Sequence, residues 1–329
     1  MAMTDLLCFG ETMSLVVPSH GGALTDEDLS LELHVGGAES NVACGVAHFG
    51  FRSEWWSRLG DDPFGRRILR ELEQRGVDVS GVVIDTERPT GTYWKDPSDS
   101  GTAIYYYRAG SAASAMSPRD LASLRGRSRV VHLSGITAAL SDSTRMMMER
   151  ALIGRELAPA TISFDVNYRP ALWQRSDAAP ALLDMSAAAD IVIVGRDEAE
   201  ELWDAVSAED VRRLLPDVRM LVVKDADIGA TCFRGEEAVF VPAFEVDIVE
   251  PVGAGDAFAA GFLAGLLKRL PIENSLRLGH VMASETLQHF GDLVDLDPPE
   301  MLLERARGVV VDGGSTTDVR RSERSRVVS

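Results

Sequence analysis

The sequence has 329 residues, 45% of them hydrophobic, and its 33 basic and 51 acidic residues give a net charge of −18. A field of that sign repels nucleic acid and anionic membrane surfaces, so we expect neither as a partner. No apolar run approaches the ~20 residues of a membrane-spanning helix. The first residues, MAMTDLLCFGET, carry an acid without a basic flank, so we expect no secretory signal and a cytoplasmic location.

Short β-prone apolar runs alternate with helix-period segments along most of the chain. Strands are predicted at 6–10, 130–135, 161–167, 190–195 and 219–226, and helices at 39–49, 64–75, 143–157, 178–188 and 197–204. This repeated order predicts an α/β fold of three layers, α/β/α, with a mostly parallel central sheet covered by helices on both faces. Ligands of such open sheets bind beyond the carboxyl ends of the strands.

Two stretches of the first half break this alternation. Residues 12–35 and 82–108 carry β-prone runs with no helix between them, and they are predicted to form antiparallel strands of a second, smaller sheet inserted into the first. At the other end, residues 311–329 are polar and without period, which predicts a disordered tail.

A glycine-rich turn at residues 249–262, VEPVGAGDAFAAGF, leads into a helix-prone run. Gly253 and Gly255 allow a ligand to approach the backbone closely, and the unpaired N–H groups of a helix start favour an anion. Two interpretations of Asp256 are open. It is either the N-cap of the helix, or a general base that takes a hydroxyl proton while the N–H groups of 253–256 hold a phosphate.

Other modes of phosphate binding do not fit the sequence. The lysines are Lys95, Lys224 and Lys268, and none of them belongs to a G-x-x-x-x-G-K-[ST] loop, which excludes a P-loop. A dinucleotide-binding turn is disfavoured because Phe258 stands at the third glycine of G-x-G-x-x-G.

The segment PVGAGDAFAAGF resembles the C-terminal signature of the ribokinase-type (PfkB) sugar kinases, and GGAESNVACGVAHFG at 36–50 resembles their N-terminal signature. The resemblance runs from about residue 5 to residue 305. It implies a ribokinase-like kinase domain over 1–310, in which the smaller sheet is a lid that forms a homodimer interface. It also implies phosphorylation of a sugar hydroxyl with ATP as donor and Mg²⁺ as cofactor, and it leaves activation by a monovalent cation open.

Within the family, five segments are similar to the kinases of the sugar acid 2-keto-3-deoxygluconate: GET at 10–12, YYYRAGSAAS at 105–114, HLSGI at 132–136, DVNYRPALW at 165–173 and EPVGAGD at 250–256. This similarity implies formation of the 6-phosphate of that sugar acid. Two alternatives are open: a kinase of a neutral sugar such as fructose or ribose, and a non-catalytic sugar-binding or regulatory protein of the same fold.

The resemblance, carried over by position, implies the residues of the site. The anion hole and the base would be Gly253, Ala254, Gly255 and Asp256. The sugar would contact Gly36, Gly37, Asn41, Tyr93, Tyr106, Arg108, Arg169, Asp256 and Asp292. The nucleotide would contact Asn167, Lys224, Asp225, Gly229, Gly253 and Gly255, and Glu198 would organise the magnesium ion through water.

The arginines make chemical sense for a sugar acid, because arginine binds a carboxylate with two hydrogen bonds. Arg108 and Arg169 are therefore expected to hold the substrate carboxylate, and for Arg108 a surface ion pair is the alternative. In the first signature, Ser40 or Asn41 could cap a helix as well as line the sugar site.

Three positions depart from the pattern of the family. Gly195 stands where an asparagine of the N-x-x-E motif is common, and Ala226 replaces a common glycine of the nucleotide loop. Glu250 replaces a usual aspartate and keeps its charge on a longer side chain.

Overall fold

The computed structural model describes residues 3–19, 22–26, 29–98, 101–289, 291, 293–312 and 315–318. The strands are β1 Thr4–Phe9, β2 Met13–Pro18, β3 Leu31–Gly36, β4 Ser53–Trp56, β5 Arg58–Gly60, β6 Val83–Asp85, β7 Thr92–Ser98, β8 Gly101–Tyr107, β9 Ser128–Ser134, β10 Thr161–Asp165, β11 Ile191–Gly195, β12 Met220–Asp225, β13 Gly229–Arg234, β14 Glu237–Pro242, β15 Val309–Asp312 and β16 Ser315–Asp318. The α-helices are α1 Ala38–His48, α2 Pro63–Gln74, α3 Leu121–Leu124, α4 Gly135–Ala138, α5 Asp142–Leu152, α6 Arg175–Ala188, α7 Arg196–Trp203, α8 Ala208–Leu214, α9 Ala254–Leu267, α10 Ile272–Leu287 and α11 Pro299–Ala306.

The central sheet has eight strands in the order β14-β13-β12-β11-β10-β9-β1-β4. Neighbours from β4 to β12 pair in parallel, and the β13–β14 hairpin closes the other edge in antiparallel fashion. The prediction of a mostly parallel sheet is therefore confirmed. The carboxyl ends of β1, β9, β10, β11 and β12 lie at one edge, where a ligand of such a sheet is expected.

Helices cover both faces of this sheet, because its strands are apolar on both sides. In β1, Leu7 and Phe9 point into one buried cluster, and Leu6 and Cys8 point into the other, as the two-residue period of a strand requires. The first cluster also contains residues of α5, α6 and α7, and the second contains residues of α1, α9 and α10. The three-layer α/β/α arrangement follows.

Helix α9, which follows the glycine-rich turn, packs closely on α10. A Cβ atom on Gly261 would lie 2.5 Å from the backbone oxygen of Leu278, so only glycine permits this spacing. The start of α9 is thereby held at a fixed position beside the sheet.

The smaller sheet has four strands in the order β3-β2-β7-β8. Its strands come from the two predicted stretches, 12–35 and 82–108, which confirms an inserted β-sheet lid. One detail of the prediction was wrong: β2 and β7 pair in parallel, whereas the two flanking pairs are antiparallel. The reason is topological, because a long excursion through the large domain joins β2 to β7, and only short hairpins impose antiparallel pairing.

The run at 82–86 was also predicted as part of the lid, and it is not. Val83–Asp85 pairs in parallel with Arg58–Gly60 as a separate two-stranded sheet. The carboxylate of Asp85 fixes this segment, since it accepts backbone N–H bonds from Glu87 and Arg88 and lies 3.5 Å from the guanidinium of Arg58.

The C-terminal segment is described only in part. Strands β15 and β16 pair in antiparallel fashion, and apart from the first two residues of β15 they lie in the range predicted as a tail. Residues 319–329 lie outside the described residues, so the boundary at 310 and the disordered tail stay predictions. Among the described helices, none is long and apolar enough to cross a membrane.

Candidate active site

The glycine-rich turn ends at Gly253, which is the N-cap of α9. Its φ of +85° lies in the left-handed region, which glycine adopts without strain. Ala254 is the first residue of the helix, and Asp256 therefore stands in the first turn of α9 and not at its cap. The capping interpretation of Asp256 was wrong. The first N–H groups of α9 lack partners within the helix, as the predicted anion site requires, and their binding of a phosphate stays a prediction.

Two asparagines hold the carboxylate of Asp256. The side-chain amide of Asn41 on α1 donates to Oδ2 at 2.9 Å, and that of Asn167, after β10, donates to Oδ1 at 3.5 Å. Asn167 has a φ of +41°, a left-handed conformation that asparagine tolerates. Both asparagines are buried, so the structure brings these three predicted residues together and fixes the direction in which the carboxylate points.

The first signature suggested that Ser40 or Asn41 could cap α1, but neither residue does so. The N-cap is Gly37, without a side-chain hydrogen bond, and Asn41 faces Asp256 instead. The side chain of Ser40 accepts from Thr12 and donates to the carbonyl oxygen of Gly37. A Cβ atom on Gly37 would lie 2.5 Å from the backbone oxygen of Glu11, so the end of β3 approaches the β1–β2 connection closely.

Lys224 brings a positive charge to the glycine-rich turn. Its Nζ lies 3.3 Å from Oδ2 of Asp165, and a Cβ atom on Gly255 would lie 3.4 Å from this Nζ. Burial lowers the pKa of Lys224, but the carboxylates of Asp165, Glu198 and Asp256 outweigh burial and raise it above its usual value. Lys224 is therefore a charged ammonium group beside the anion site.

Glu198 lies next to Lys224, at the start of α7. Its Oε2 accepts the N–H of Gly195 at 2.8 Å, and its Oε1 lies 3.6 Å from Nη1 of Arg169. Burial raises the pKa of the Glu198 carboxyl, and Lys224 opposes that shift. Gly195 is the N-cap of α7 and has no side chain to contribute, so Glu198 satisfies the backbone at this departure from the family pattern.

Asp165, at the end of β10, was missed as a site residue. It is buried against Lys224, and among the described residues its Oδ1 has no hydrogen-bond partner. An unpaired buried carboxylate oxygen is costly unless a ligand completes it. The only sequence signal was an acid at the end of a predicted buried strand.

Asp165 and Glu198 are the oxygen donors that Mg²⁺ prefers. Within the described residues, no group of three or more His, Cys, Asp and Glu side chains converges as a protein-only metal site would. A magnesium ion here would therefore depend on water and on phosphate oxygens for most of its ligands, which is usual for this ion.

The predicted nucleotide loop follows β12. Ala226 has a φ of +42°, a left-handed conformation that glycine would adopt with less strain than alanine. Gly229 has a φ of +149°, and a Cβ atom on it would lie 2.4 Å from the backbone oxygen of Val241, so a side chain is excluded. Asp225 accepts from Nε of Arg196 at 2.7 Å, and its charge is compensated within the protein.

Tyr93, Tyr106 and Arg108 lie close together on the lid, on β7, on β8 and directly after β8. The two tyrosine rings stack at a centroid distance of 5.8 Å, and Arg108 lies 5.8 Å from the ring of Tyr106. Nε of Arg108 donates to Oε2 of Glu11 at 2.6 Å, and Ser111 donates to Oε1. The side chains of Glu11 and Arg108 are 0% and 11% exposed, so Arg108 has an ion pair, but a buried one.

The remaining predicted sugar contacts are separated or undescribed. Arg169 is half-exposed and lies beside Glu198, and among the described contacts it does not meet Arg108. Gly36 ends β3 opposite Met13. Asp292 lies outside the described residues, so its role stays a prediction.

A second buried acid, Glu39, was also missed. It lies in the first turn of α1 at 0% exposure, and its Oε1 accepts from Ser134 at 2.8 Å and from Thr137 at 2.6 Å. Gly10 makes room for this carboxyl, since a Cβ atom there would lie 2.1 Å from Cδ of Glu39. Burial raises the pKa of Glu39 to about 7, and the charge of Asp256 adds to the shift.

This raised pKa predicts a pH-dependent effect of Glu39→Gln on stability. The unfolded chain releases the Glu39 proton near its ordinary pKa of 4.5, whereas the folded protein keeps it until about 7, so wild-type stability falls as pH rises between these values. Glutamine is always neutral and escapes this loss. We expect the unfolding free energy of the variant, relative to wild type, to rise by about 2–3 kcal/mol from pH 5 to pH 8.

Denaturant titrations of both proteins at the two pH values measure this difference. Glu237→Gln, which changes a half-exposed carboxylate, is the matched control and should show little pH dependence relative to wild type. An equal Glu39→Gln effect at both pH values would mean that Glu39 is ionised in the folded protein throughout.

Comparisons with known proteins show the family to which the chain belongs. The model of the pfkB family of carbohydrate kinases matches residues 3–297. A 2-dehydro-3-deoxygluconokinase of Bacillus subtilis is 34% identical over 308 residues, covering 91% of this chain and 94% of the relative. A 2-dehydro-3-deoxygalactonokinase of Haloferax volcanii is 32% identical over 90% of this chain and 95% of its own length. Fructokinase-2 of Zea mays is 32% identical over 80% of each.

Solved structures agree. A 2-dehydro-3-deoxygluconokinase of Thermotoga maritima superimposes with a TM-score of 0.82 at 25% identity, covering 93% of this chain and 100% of the other. A sugar kinase of Pyrococcus horikoshii in complex with ATP superimposes with a TM-score of 0.77 at 26% identity, covering 92% of this chain and 99% of the other. The chain belongs to the pfkB family of carbohydrate kinases.

Proposed function

We propose that this kinase transfers the γ-phosphoryl group of ATP to a hydroxyl of a sugar acid, and that the acid is 2-keto-3-deoxygluconate, which becomes the 6-phosphate. The observation that carries the proposal is the arrangement of Asp256: its carboxylate is held by two asparagines, beside the helix start and Lys224. The relatives named for 2-dehydro-3-deoxygluconate, the same sugar acid, and for its galactonate counterpart support the choice of substrate. The ATP complex of a relative supports the donor.

In the proposed reaction, the sugar hydroxyl loses its proton to Asp256 as its oxygen attacks the γ-phosphorus. The bond from that phosphorus to the β–γ bridging oxygen breaks, and ADP leaves. The N–H groups of residues 253–256 and the ammonium of Lys224 stabilise the charge on the transferring group. Asn41 and Asn167 keep the base aimed at the hydroxyl.

Magnesium belongs to the proposal because the residues present fit it. Among the described residues, Asp165 has a buried oxygen without a hydrogen-bond partner, and Glu198 is close enough to interact with both Asp165 and Lys224, so these two would hold the ion, largely through its waters. When bound, the ion would neutralise charge on the β- and γ-phosphate oxygens. A monovalent cation is not part of the proposal, because none of these contacts needs one.

The choice between a sugar acid and a neutral sugar depends on Arg108. A substrate carboxylate bound to this protein of charge −18 needs a local cation, and Arg108 lies buried at the cleft, where its charge is little screened. Yet the carboxylate of Glu11 already binds Nε and Nη2 of Arg108. That ion pair favours a second candidate, a kinase of a neutral sugar such as fructose, in which Arg108 only joins the lid to the large domain.

The lid supports the proposal of a homodimer. By the strand register, Leu31, Leu33, Tyr105 and Tyr107 lie on one face of the lid sheet, and all four are exposed. Exposed apolar side chains gathered on one face are typical of an interaction surface. We propose that a second copy of the chain covers this face. The cytoplasmic location expected from the sequence stays a prediction.

ADP release measured over a panel of sugars and sugar acids tests the proposed function. We expect kcat/KM to be highest for 2-keto-3-deoxygluconate. A higher value for fructose or ribose would establish the second candidate. If no compound of the panel led to ADP release, the non-catalytic alternative would be indicated. The ordered contacts of Asp256 argue against that alternative.

Asp256→Asn should lower kcat by about 10²–10⁴-fold, because an amide has nearly the shape of the carboxylate but cannot accept the proton. Nucleotide affinity, measured by calorimetry, should change by only a few-fold. A kcat within a few-fold of wild type would exclude Asp256 as the general base.

Arg108→Ala should raise KM for the sugar acid by roughly one to two orders of magnitude, as loss of a charged hydrogen bond of about 1.5–3 kcal/mol predicts. A neutral hexose should be affected much less, and Arg108→Lys should recover part of the loss. The measurement is kcat/KM for both substrates.

Because Arg108→Ala leaves Glu11 buried without its partner, Glu11→Gln is the matched variant. It frees the guanidinium, so it should lower KM for the sugar acid if the substrate carboxylate binds there. Equal losses on both substrates in all these variants would make the ion pair purely structural.

A further inference from the structure

One ion pair in the structure joins the lid to the segment that leads into the anion site. Nζ of Lys95, on β7, contacts Oε1 of Glu250, and Oε2 of Glu250 accepts the N–H of Gly291 at 3.1 Å. The two side chains are 7% and 15% exposed. Neither residue is among those assigned to the site above.

The position of Lys95 makes this contact sensitive to the lid. Lys95 lies two residues after Tyr93, so both side chains point to the same face of β7, and both are buried. A buried ammonium on a strand needs a partner with its charge compensated. Glu250 supplies that partner only while β7 lies against the large domain, because Lys95 belongs to the lid sheet and Glu250 to the segment between β14 and α9.

The position of Glu250 makes the same contact relevant to the phosphate. Glu250 stands three residues before Gly253, the N-cap of α9. The backbone N–H groups of Val249 and Glu250 both bond to the carbonyl oxygen of Leu287, at the end of α10, at 2.8 and 3.2 Å. Glu250 therefore links the lid, the end of α10 and the beginning of the phosphate-binding turn.

We propose that Lys95 and Glu250 are a positioning pair that couples closure of the lid over the sugar to the geometry of the phosphate-binding turn. When the lid is closed, Lys95 binds Glu250 and thereby keeps the phosphate-binding turn, residues 250–255, in the conformation that binds the γ-phosphate. With the lid raised, the turn loses that support, so ATP meets an incomplete site when no sugar is present. The pair thus favours transfer to the sugar over hydrolysis of ATP by water.

The length of the Glu250 side chain matters for this positioning pair. Aspartate would keep the charge and shorten the side chain by one methylene, so it could not contact Lys95 and Gly291 together without moving the turn. The variant Glu250→Asp therefore tests the length of the side chain separately from its charge. The inference rests on the kinase activity but not on the identity of the sugar, so it is tested with whichever sugar the substrate panel selects.

The test is the stimulation of ADP release by saturating sugar, the ratio of the rates with and without it. Lys95→Met and Glu250→Gln should each lower this ratio by about tenfold or more. The double variant should lose no more than a single one, because both act through one contact. It also leaves no unpaired buried charge, so it keeps the test valid if a single variant folds poorly. Glu237→Gln, which breaks a half-exposed ion pair of the β13–β14 hairpin, is the control and should keep the wild-type ratio.

Rescue distinguishes positioning from a general structural role. Glu250→Asp should lower the ratio, and adding Lys95→Arg, whose longer side chain restores the reach, should recover much of it. Wild-type stimulation in the double variant would overturn the proposal. So would losses that multiply in the double variant, because they would show that the two residues act independently.

Discussion

The proposed site depends on one partly buried cation, Lys224. In the proposed reaction, a protein of charge −18 must offset its repulsion of a nucleoside triphosphate, and Lys224 is the cation that interacts with Asp165, Glu198 and Asp256. The same carboxylates keep the lysine charged in spite of its burial, since they raise its pKa. Removal of any one of these carboxylates would therefore lower the pKa of Lys224.

Most other cations near the cleft are already paired. Arg108 binds Glu11, Arg169 lies beside Glu198, and Arg196 binds Asp225. The proposed binding of ATP therefore relies largely on backbone N–H groups and on a magnesium ion. This arrangement explains why the start of α9 is fixed so firmly, with glycine contacts along the helix and two asparagines on its aspartate.

The sequence predicted the parts of the structure that local pattern controls. The buried strands β1 and β9–β12 were visible as apolar runs, and Asp256 was visible because a glycine turn precedes it. Long-range partners decided the rest. The segment Val83–Asp85 leaves the lid because Asp85 meets Arg58, and the parallel β2–β7 pair depends on the path of the chain between them. The burial of Glu39, Asp165 and Glu11 could not be predicted, because an acid in a sequence is normally exposed and these three are kept inside by distant hydroxyl groups and cations.

Two buried ion pairs, Arg108–Glu11 and Lys95–Glu250, connect the lid to the large domain, where apolar contacts could have done so. Buried ion pairs are poor sources of stability, because desolvation offsets most of the attraction. For a lid that has to open, this weakness is useful: the charges regain water when the sheets separate, so opening costs less than exposing an equal apolar area would. The geometric demand of an ion pair also means that the closed state is favoured only when both contacts are correctly aligned. A lid held in this way can be both specific in its closed position and easy to release.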